Sequence, residues 1–311
     1  MEKRDLVLGA VENYGWEIIR PFVESLRATG FDGDVRLFAS NIDGDTVAHL
    51  QAAGVELSFP HRVSVRVGRR RFRPFNARLR WPGQRYFPAV LDRASRIGAE
   101  PRRAVARYLG AVSNVDVARY FWAWLHLSRS VSSYRNVMLT DVRDVLFLRN
   151  PFEFPIADGL WCFLEDERAQ LGTQPLNRRW LLTAYGPDVV ESLGAFPISC
   201  SGVTIGAAPA VLAYLTAMVD ELARLSRQPS GIDQGVHNYA LHSARVPDAR
   251  LLGNGDGPVL TIGIMSSEDA EALVSARVGD AYIVHQYDRH PGLWETFEPL
   301  LPGGVGDSLR R

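Results

Sequence analysis

The 311-residue sequence is poor in cysteine, in lysine and in long apolar runs. Its two cysteines, Cys162 and Cys200, are too few for a disulfide framework or a zinc-ligand set, which agrees with a reducing compartment. Lys3 is the only lysine, so arginine abundance reflects a compositional bias before it reflects a function. No stretch approaches the roughly 18 to 20 apolar residues that span a bilayer, so no transmembrane segment is expected. The start, MEKRDLVLGAVENYGW, enters a strand-like run without the charged, apolar and small-residue sections of a secretory signal. A soluble, cytoplasmic protein is therefore expected.

What remains is ordinary for a globular chain: 46% apolar and 23% charged residues, enough to bury one large α/β core. The zero net charge conceals an asymmetry. Residues 62–107 hold 14 Arg against Asp92 and Glu100, a net +12 that the rest of the chain balances with −12.

Apolar periodicity predicts strands at 6–10, 35–39, 55–57, 136–140, 159–164, 202–206 and 282–284. It predicts helices at 16–26, 115–127, 209–225 and 233–242, and a further helix capped near Asn41 or Asp43 and closed at Gly54. Pro21 belongs in a first turn or marks a kink. Alternation of strands and helices argues for a mostly parallel sheet with helices on both faces, in one domain over 1–311. Residues 59–113, rich in Arg, Pro and Gly with scattered aromatics, interrupt the rhythm and read as an Arg-rich insertion or flap.

Three places carry chemistry. Asp141 and Asp144 follow the apolar strand Val137-Met-Leu-Thr140, at a carboxyl end where open α/β sheets bind ligands. Two carboxylates there could hold Mg²⁺ or Mn²⁺ against a diphosphate, or Asp141 could cap local backbone while both acids pair with Arg143 or Arg149. His285 ends the last strand, and an imidazole beside two carboxylates favours Mn²⁺ over Mg²⁺; a backbone-bonded histidine is the other reading. Arg289 and His290 follow, placed to meet phosphate oxygens or to be solvated. Asp233, Gln234, His237 and Asn238 cluster at a helix start, as a site or as a cap with a half-exposed polar face.

Together these pieces resemble the GT-A nucleotide-diphospho-sugar transferases, especially retaining glycosyltransferases of family 8, the glycogenin and bacterial α-galactosyltransferase group. The resemblance covers most of the chain outside 59–113. Gly9-Ala-Val-Glu-Asn-Tyr14 is similar to the family's first strand and nucleotide loop, which implies that Ala10, Val11, Glu12, Asn13 and Tyr14 line the base and ribose site. Ala118-Arg-Tyr120 resembles a helix whose arginine contacts the donor, a role that Arg119 inherits. Asp141 and Asp144 stand at the metal motif, with Asp-x-x-Asp in place of Asp-x-Asp, and His285 stands as third ligand. Cys200-Ser-Gly-Val resembles the strand beside the donor sugar, bringing in Ser201 and Gly202, and Asp233-Gln234 resembles the pair on the reacting face. In the closing motif Asp288 replaces a glycine and Pro291 a lysine, so Arg289 or His290 would supply the phosphate contact.

The resemblance implies a Mn²⁺-dependent (or Mg²⁺-dependent) glycosyltransferase that moves a sugar from a nucleotide-sugar, with a UDP-sugar the first choice, to a hydroxyl acceptor with retention. Gln234 would steady the cationic sugar and Asp233 its hydroxyls. An inverting enzyme with Asp233 as base is the rival within enzymes. A non-catalytic anion- or nucleic-acid-binding module of GT-A shape, resting on the arginines of 69–73, is the rival outside them. Nucleic acid is not the expected partner, and residues 62–107 could contact a membrane surface or a second subunit.

Overall fold

The computed structural model describes residues 3–63, 65–67, 70–72, 100–156, 159–246 and 248–301. In chain order the strands are β1 (Arg4–Glu12), β2 (Asp34–Ser40), β3 (Val55–Ser58), β4 (Val65–Val67), β5 (Arg70–Phe72), β6 (Tyr134–Thr140), β7 (Val145–Phe147), β8 (Leu160–Leu164), β9 (Ser199–Ala207), β10 (Ala249–Leu252), β11 (Val259–Thr261) and β12 (Ile283–His285). The helices are α1 (Trp16–Ala28), α2 (Gly44–Ala52), α3 (Glu100–Val112), α4 (Val115–Ser130), α5 (Pro175–Tyr185), α6 (Pro187–Leu193), α7 (Ala208–Arg224), α8 (Ile232–His242), α9 (Ser267–Arg277) and α10 (Trp294–Phe297). Seven strands form one sheet in the order β10-β8-β9-β6-β1-β2-β3. Only the β9 pairings with β6 and β8 are antiparallel, as the reading of a mostly parallel sheet requires.

The sheet forms because its strands are apolar on both faces and both faces are covered. In β1, Leu6 and Leu8 enter one core and Val7 and Val11 the other; in β6, Val137 and Leu139 oppose Met138 in the same way. Ile19, Phe22, Val23 and Leu26 recur at helical spacing on α1 and, with Leu50 of α2, cover one face. Val211, Leu215, Met218 and Leu222 of α7, with α3, α4 and α8, cover the opposite one. A small sheet, β11-β12-β7, docks on the α1 side, where the rings of Phe22 and Phe147 meet edge to face at 5.2 Å.

Local signals hold in detail. Asp43 caps α2 by accepting from the Thr46 N–H at 2.7 Å, and Gly54 follows the helix at φ +70°, the left-handed turn that favours glycine. Pro21 departs from its expected first-turn place and sits in the second turn of α1. One turn on, Ser25 Oγ donates to its carbonyl at 2.5 Å and accepts from the Phe147 N–H at 3.1 Å, which ties α1 to β7.

Within the Arg-rich segment, residues 64, 68–69 and 73–99 lie outside the described residues. Residues 65–67 and 70–72 pair as a short hairpin, and 100–112 form α3, whose Val105, Ala106 and Leu109 are buried against α4 and α7. Arg102 forks onto Asp220 of α7 at 2.8 and 2.9 Å. Among the described residues no helix is long and apolar enough to cross a membrane.

Candidate active site

Glu12 of β1 lies opposite Ser40 of β2, and Leu8 lies opposite Leu139 of β6, so these parallel strands reach one edge of the sheet together. β9 enters from that edge in the opposite sense, with Val203 opposite Thr140, and β8 leaves beside it with Leu164 opposite Ser199. The diverging loops open a cleft of about 620 Å³ at this edge, the place where open α/β sheets bind ligands.

Asp141 and Asp144 enter the cleft from the turn after β6. His285 arrives by tertiary pairing alone: β12 runs antiparallel to β7 with His285 opposite Val145, and the Gln286 N–H donates to the Asp144 carbonyl at 2.7 Å. One ligand atom from each of the three residues falls within 4.8 Å of the other two. His285 Nε2 stands 3.6 Å from Asp141 Oδ2 and 3.9 Å from Asp144 Oδ1, beyond hydrogen-bond length. It is buried without a hydrogen-bond partner among the described residues. The strand passing closest is bare: a Cβ at Gly202 would fall 2.2 Å from His285 Cε1 and 2.8 Å from Asp141 Oδ2. Two carboxylates and an orphaned imidazole nitrogen at this spacing fit a divalent cation such as Mn²⁺.

The electrostatics describe a crowded site. Burial raises the Asp141 carboxyl, but the Arg119 guanidinium and His285 outweigh it and hold Asp141 well below the usual carboxylate range. Burial pushes Asp144 up, with help from Asp141 and Asp288 and against the pull of His285. For His285 burial favours the neutral ring, yet the Asp141 and Asp144 carboxylates draw its pKa upward. Such a cluster is relieved by a proton or by a cation.

Arg119 of α4 is the hub. One guanidinium nitrogen pairs with Asp141; the other reaches Asp233 Oδ2 at 2.9 Å and the Ser201 carbonyl at 3.3 Å. It lines the cleft while bracing the two acids. On the far side of the metal cluster, Arg143 Nη2 lies 3.6 Å from Asp144 Oδ2 and 3.2 Å from Asp288, and Arg289 Nη2 lies 3.9 Å from Asp144. Both arginines line the cleft, where their charge can meet phosphate oxygens. His290 is not brought there: it is buried, and its Nε2 bonds to the Ile262 carbonyl at 2.9 Å.

Of the first loop, Ala10, Glu12 and Tyr14 line the cleft, whereas the Val11 side chain is buried in the core. Glu12 pairs with Arg62 at 3.2 Å, and that arginine also lies 4.8 Å over the Trp122 ring. Asn13, at φ +63°, shapes the turn: its N–H donates to the Ser40 carbonyl at 3.2 Å, and its side chain accepts from Asn41.

Asp233 and Gln234 enter from the first turn of α8. Burial pushes Asp233 up to about 7 despite Arg119. Both ends of the Gln234 carboxamide are engaged, Oε1 accepting from the Ser201 N–H at 2.8 Å and Nε2 donating to Glu165 at 3.0 Å. Glu165, a buried acid that also lines the cleft, escaped the sequence reading. Its only signal was an acid just past an apolar strand, the signal used for Asp141.

His237 and Asn238 are not half-exposed but buried, and they bind α8 to β9. The Asn238 side chain closes both backbone groups of Ser199 at 2.8 and 2.9 Å, while His237 meets Tyr214 at 2.7 Å and Ser199 Oγ at 2.9 Å. Burial drives the imidazole down to about 3. A neutral buried histidine contributes stability that is present above its unfolded pKa near 6.5 and lost as pH falls toward the folded value. A His237→Gln protein, compared with wild type by urea unfolding, should therefore show a deficit that narrows by roughly 3 kcal/mol between pH 6.5 and 4. A pH-independent gap would remove this account.

No protein-family model matches the chain, and no curated protein matches it. Among solved structures, one that it is similar to is core-mannan synthase A from Aspergillus fumigatus in its Mn/GDP form, at 13% identity, over 81% of this chain and 73% of that one, with a TM-score of 0.39. At that level of similarity the functional reading rests on the cleft itself.

Proposed function

We propose that this protein is a metal-dependent glycosyltransferase of the GT-A type that takes a sugar from a nucleoside-diphosphate sugar. The observation that carries the reading is the Asp141, Asp144 and His285 cluster, with its orphaned Nε2, in a cleft at the carboxyl ends of the strands. Asp141, Asp144 and His285 would hold Mn²⁺, which when bound supplies positive charge to a departing diphosphate. Arg143 and Arg289 add fixed charge on the same side and orient the phosphates. Tyr14 and Ala10 offer a surface for the nucleoside. Arg119 keeps Asp141 ionised and holds Asp233 in place for the sugar hydroxyls. Gln234, spent on Ser201 and Glu165, acts by fixing Glu165 in the wall.

Retention at the anomeric carbon and a UDP donor follow from the family 8 resemblance and belong to the proposal. The inverting alternative draws on Asp233, which enters the cleft from α8 and whose carboxyl burial pushes up to about 7, the range of a general base. Product anomer analysis separates the two. The test of the whole reading is a panel of UDP-, GDP- and dTDP-sugars with Mn²⁺ or chelator, scored for nucleoside diphosphate release. Release from one donor that stops with chelator is the expected result; no release from any donor, together with no Mn²⁺-dependent nucleotide binding by calorimetry, would overturn it.

A further inference from the structure

The cleft extends beyond the metal cluster to a wall of different chemistry. It is built where the N-terminal turns of α4, α5 and α8 converge: the Gly231 N–H donates to Asp116 of α4 at 2.7 Å, and Trp180 of α5 lies on Gly231. Gly231 is at φ +80°, and a Cβ there would fall 2.3 Å from Trp180 Cζ2, so the indole is seated on bare backbone. The indole N–H is already given to the Ser230 carbonyl at 3.0 Å. What Trp180 presents to the cleft is therefore apolar ring surface, continued by Leu176 one turn earlier, which is 46% exposed.

Two carboxamides stand beside this surface. Gln174 Oε1 accepts from both the backbone N–H and the side-chain nitrogen of Asn177, at 2.8 and 3.1 Å. Asn177 is buried and lines the cleft, yet its Oδ1 has no hydrogen-bond partner among the described residues. A buried carbonyl oxygen without a donor is costly unless a ligand supplies one. Asp116, an acid among the described residues of this wall, is committed to the Gly231 N–H. Arg119, one turn along α4, is committed to Asp141 and Asp233.

We propose that Gln174, Asn177 and Trp180 form the acceptor subsite of the transferase and that it takes a neutral saccharide, one pyranose face on the Trp180 ring and a hydroxyl donating to Asn177 Oδ1. A pyranose has an apolar C–H face and a rim of hydroxyls, which matches a flat aromatic surface flanked by amides. Among the described residues that line this wall no cation is left uncommitted, which favours a neutral acceptor over a phosphorylated one. Its place beside Asp233, two residues beyond Gly231, sets the saccharide next to the sugar to be transferred. The assignment rests on the transferase reading of the same cleft, and the two fail separately.

The experiment is saturation-transfer NMR on the full chain with Mn²⁺ and a nucleoside diphosphate. The probes are methyl mannoside, lactose and maltose, against N-acetylserine amide and 4-methylumbelliferone. At least one saccharide should receive saturation; Trp180→Ala should weaken its binding about tenfold, and Trp180→Phe should keep most of it. With a donor in hand, the Trp180→Ala loss should fall on the acceptor KM more than on kcat. Nucleotide binding measured on the wild type by calorimetry reports on the metal reading alone. Saturation only of the serine amide or the phenol, no saccharide bound by the wild type, or equal saccharide binding by a folded Trp180→Ala protein would each overturn the assignment.

Discussion

Asp144→Ala is expected to lower donor turnover by roughly 10³-fold and to remove the thermal shift produced by Mn²⁺, because it deletes the most deeply buried carboxylate of the cluster. Its stability without metal should move the other way. The Asp144 carboxyl is pushed up by burial, so in the metal-free protein its charge is a burden that the neutral Asp144→Asn variant relieves. Denaturant unfolding with chelator should show Asp144→Asn at least as stable as wild type, while its Mn²⁺ response is lost. If the Asn variant kept both turnover and the Mn²⁺ shift, Asp144 would not be a ligand.

Arg119→Ala should be the most destabilising change in the cleft. Its guanidinium is half-buried against Asp141 and Asp233 and lies 5.1 Å over the Tyr120 ring. Removing one partner of a buried ion pair costs about 3–5 kcal/mol, because the remaining charges stay desolvated. The pH dependence has a definite sign. Asp233 already sits at about 7, above its unfolded value, and without Arg119 it rises further. A raised carboxyl contributes stability that is present below its unfolded pKa and lost as pH rises through the folded one. The deficit of Arg119→Ala relative to wild type should therefore grow from pH 4 to pH 8, on top of a part already present near pH 4 because Asp141 loses the guanidinium that holds its carboxyl low. Arg119→Lys should recover only part of it, since an ammonium cannot fork between two carboxylates and a carbonyl. A deficit that shrinks with rising pH would contradict this account.

The strands and helices legible in the sequence were those whose side chains carry the pattern themselves. β1, β6 and β9 are apolar on both faces, and α1 and α7 bury residues at regular helical spacing. The elements that escaped carry little pattern. β10 and β11 are four and three residues long, and α9 buries only Ala270 and Val274, its clearest mark being the Ser266 cap that accepts from the Asp269 N–H at 3.1 Å. α5, which carries Trp180, was masked for the same reason, since only Asn177 and Leu181 of its residues are buried.

For the site, the chain alone determined the chemistry available at each strand end: acids after β6, an imidazole closing β12, an Asp-Gln pair opening α8. Those assignments depend on local order, which strand termini and helix starts impose over a few residues. Tertiary structure decided how each group is used. Arg119 braces Asp141 and Asp233, His290 turns to Ile262, and Gln234 is spent on Ser201 and Glu165. Side-chain partners come from segments up to 145 residues apart, as Arg289 and Asp144 do, and burial and charged neighbours together set the protonation of Asp141, Asp144, Asp233 and His285. Neither distance in space nor desolvation is written in sequence spacing.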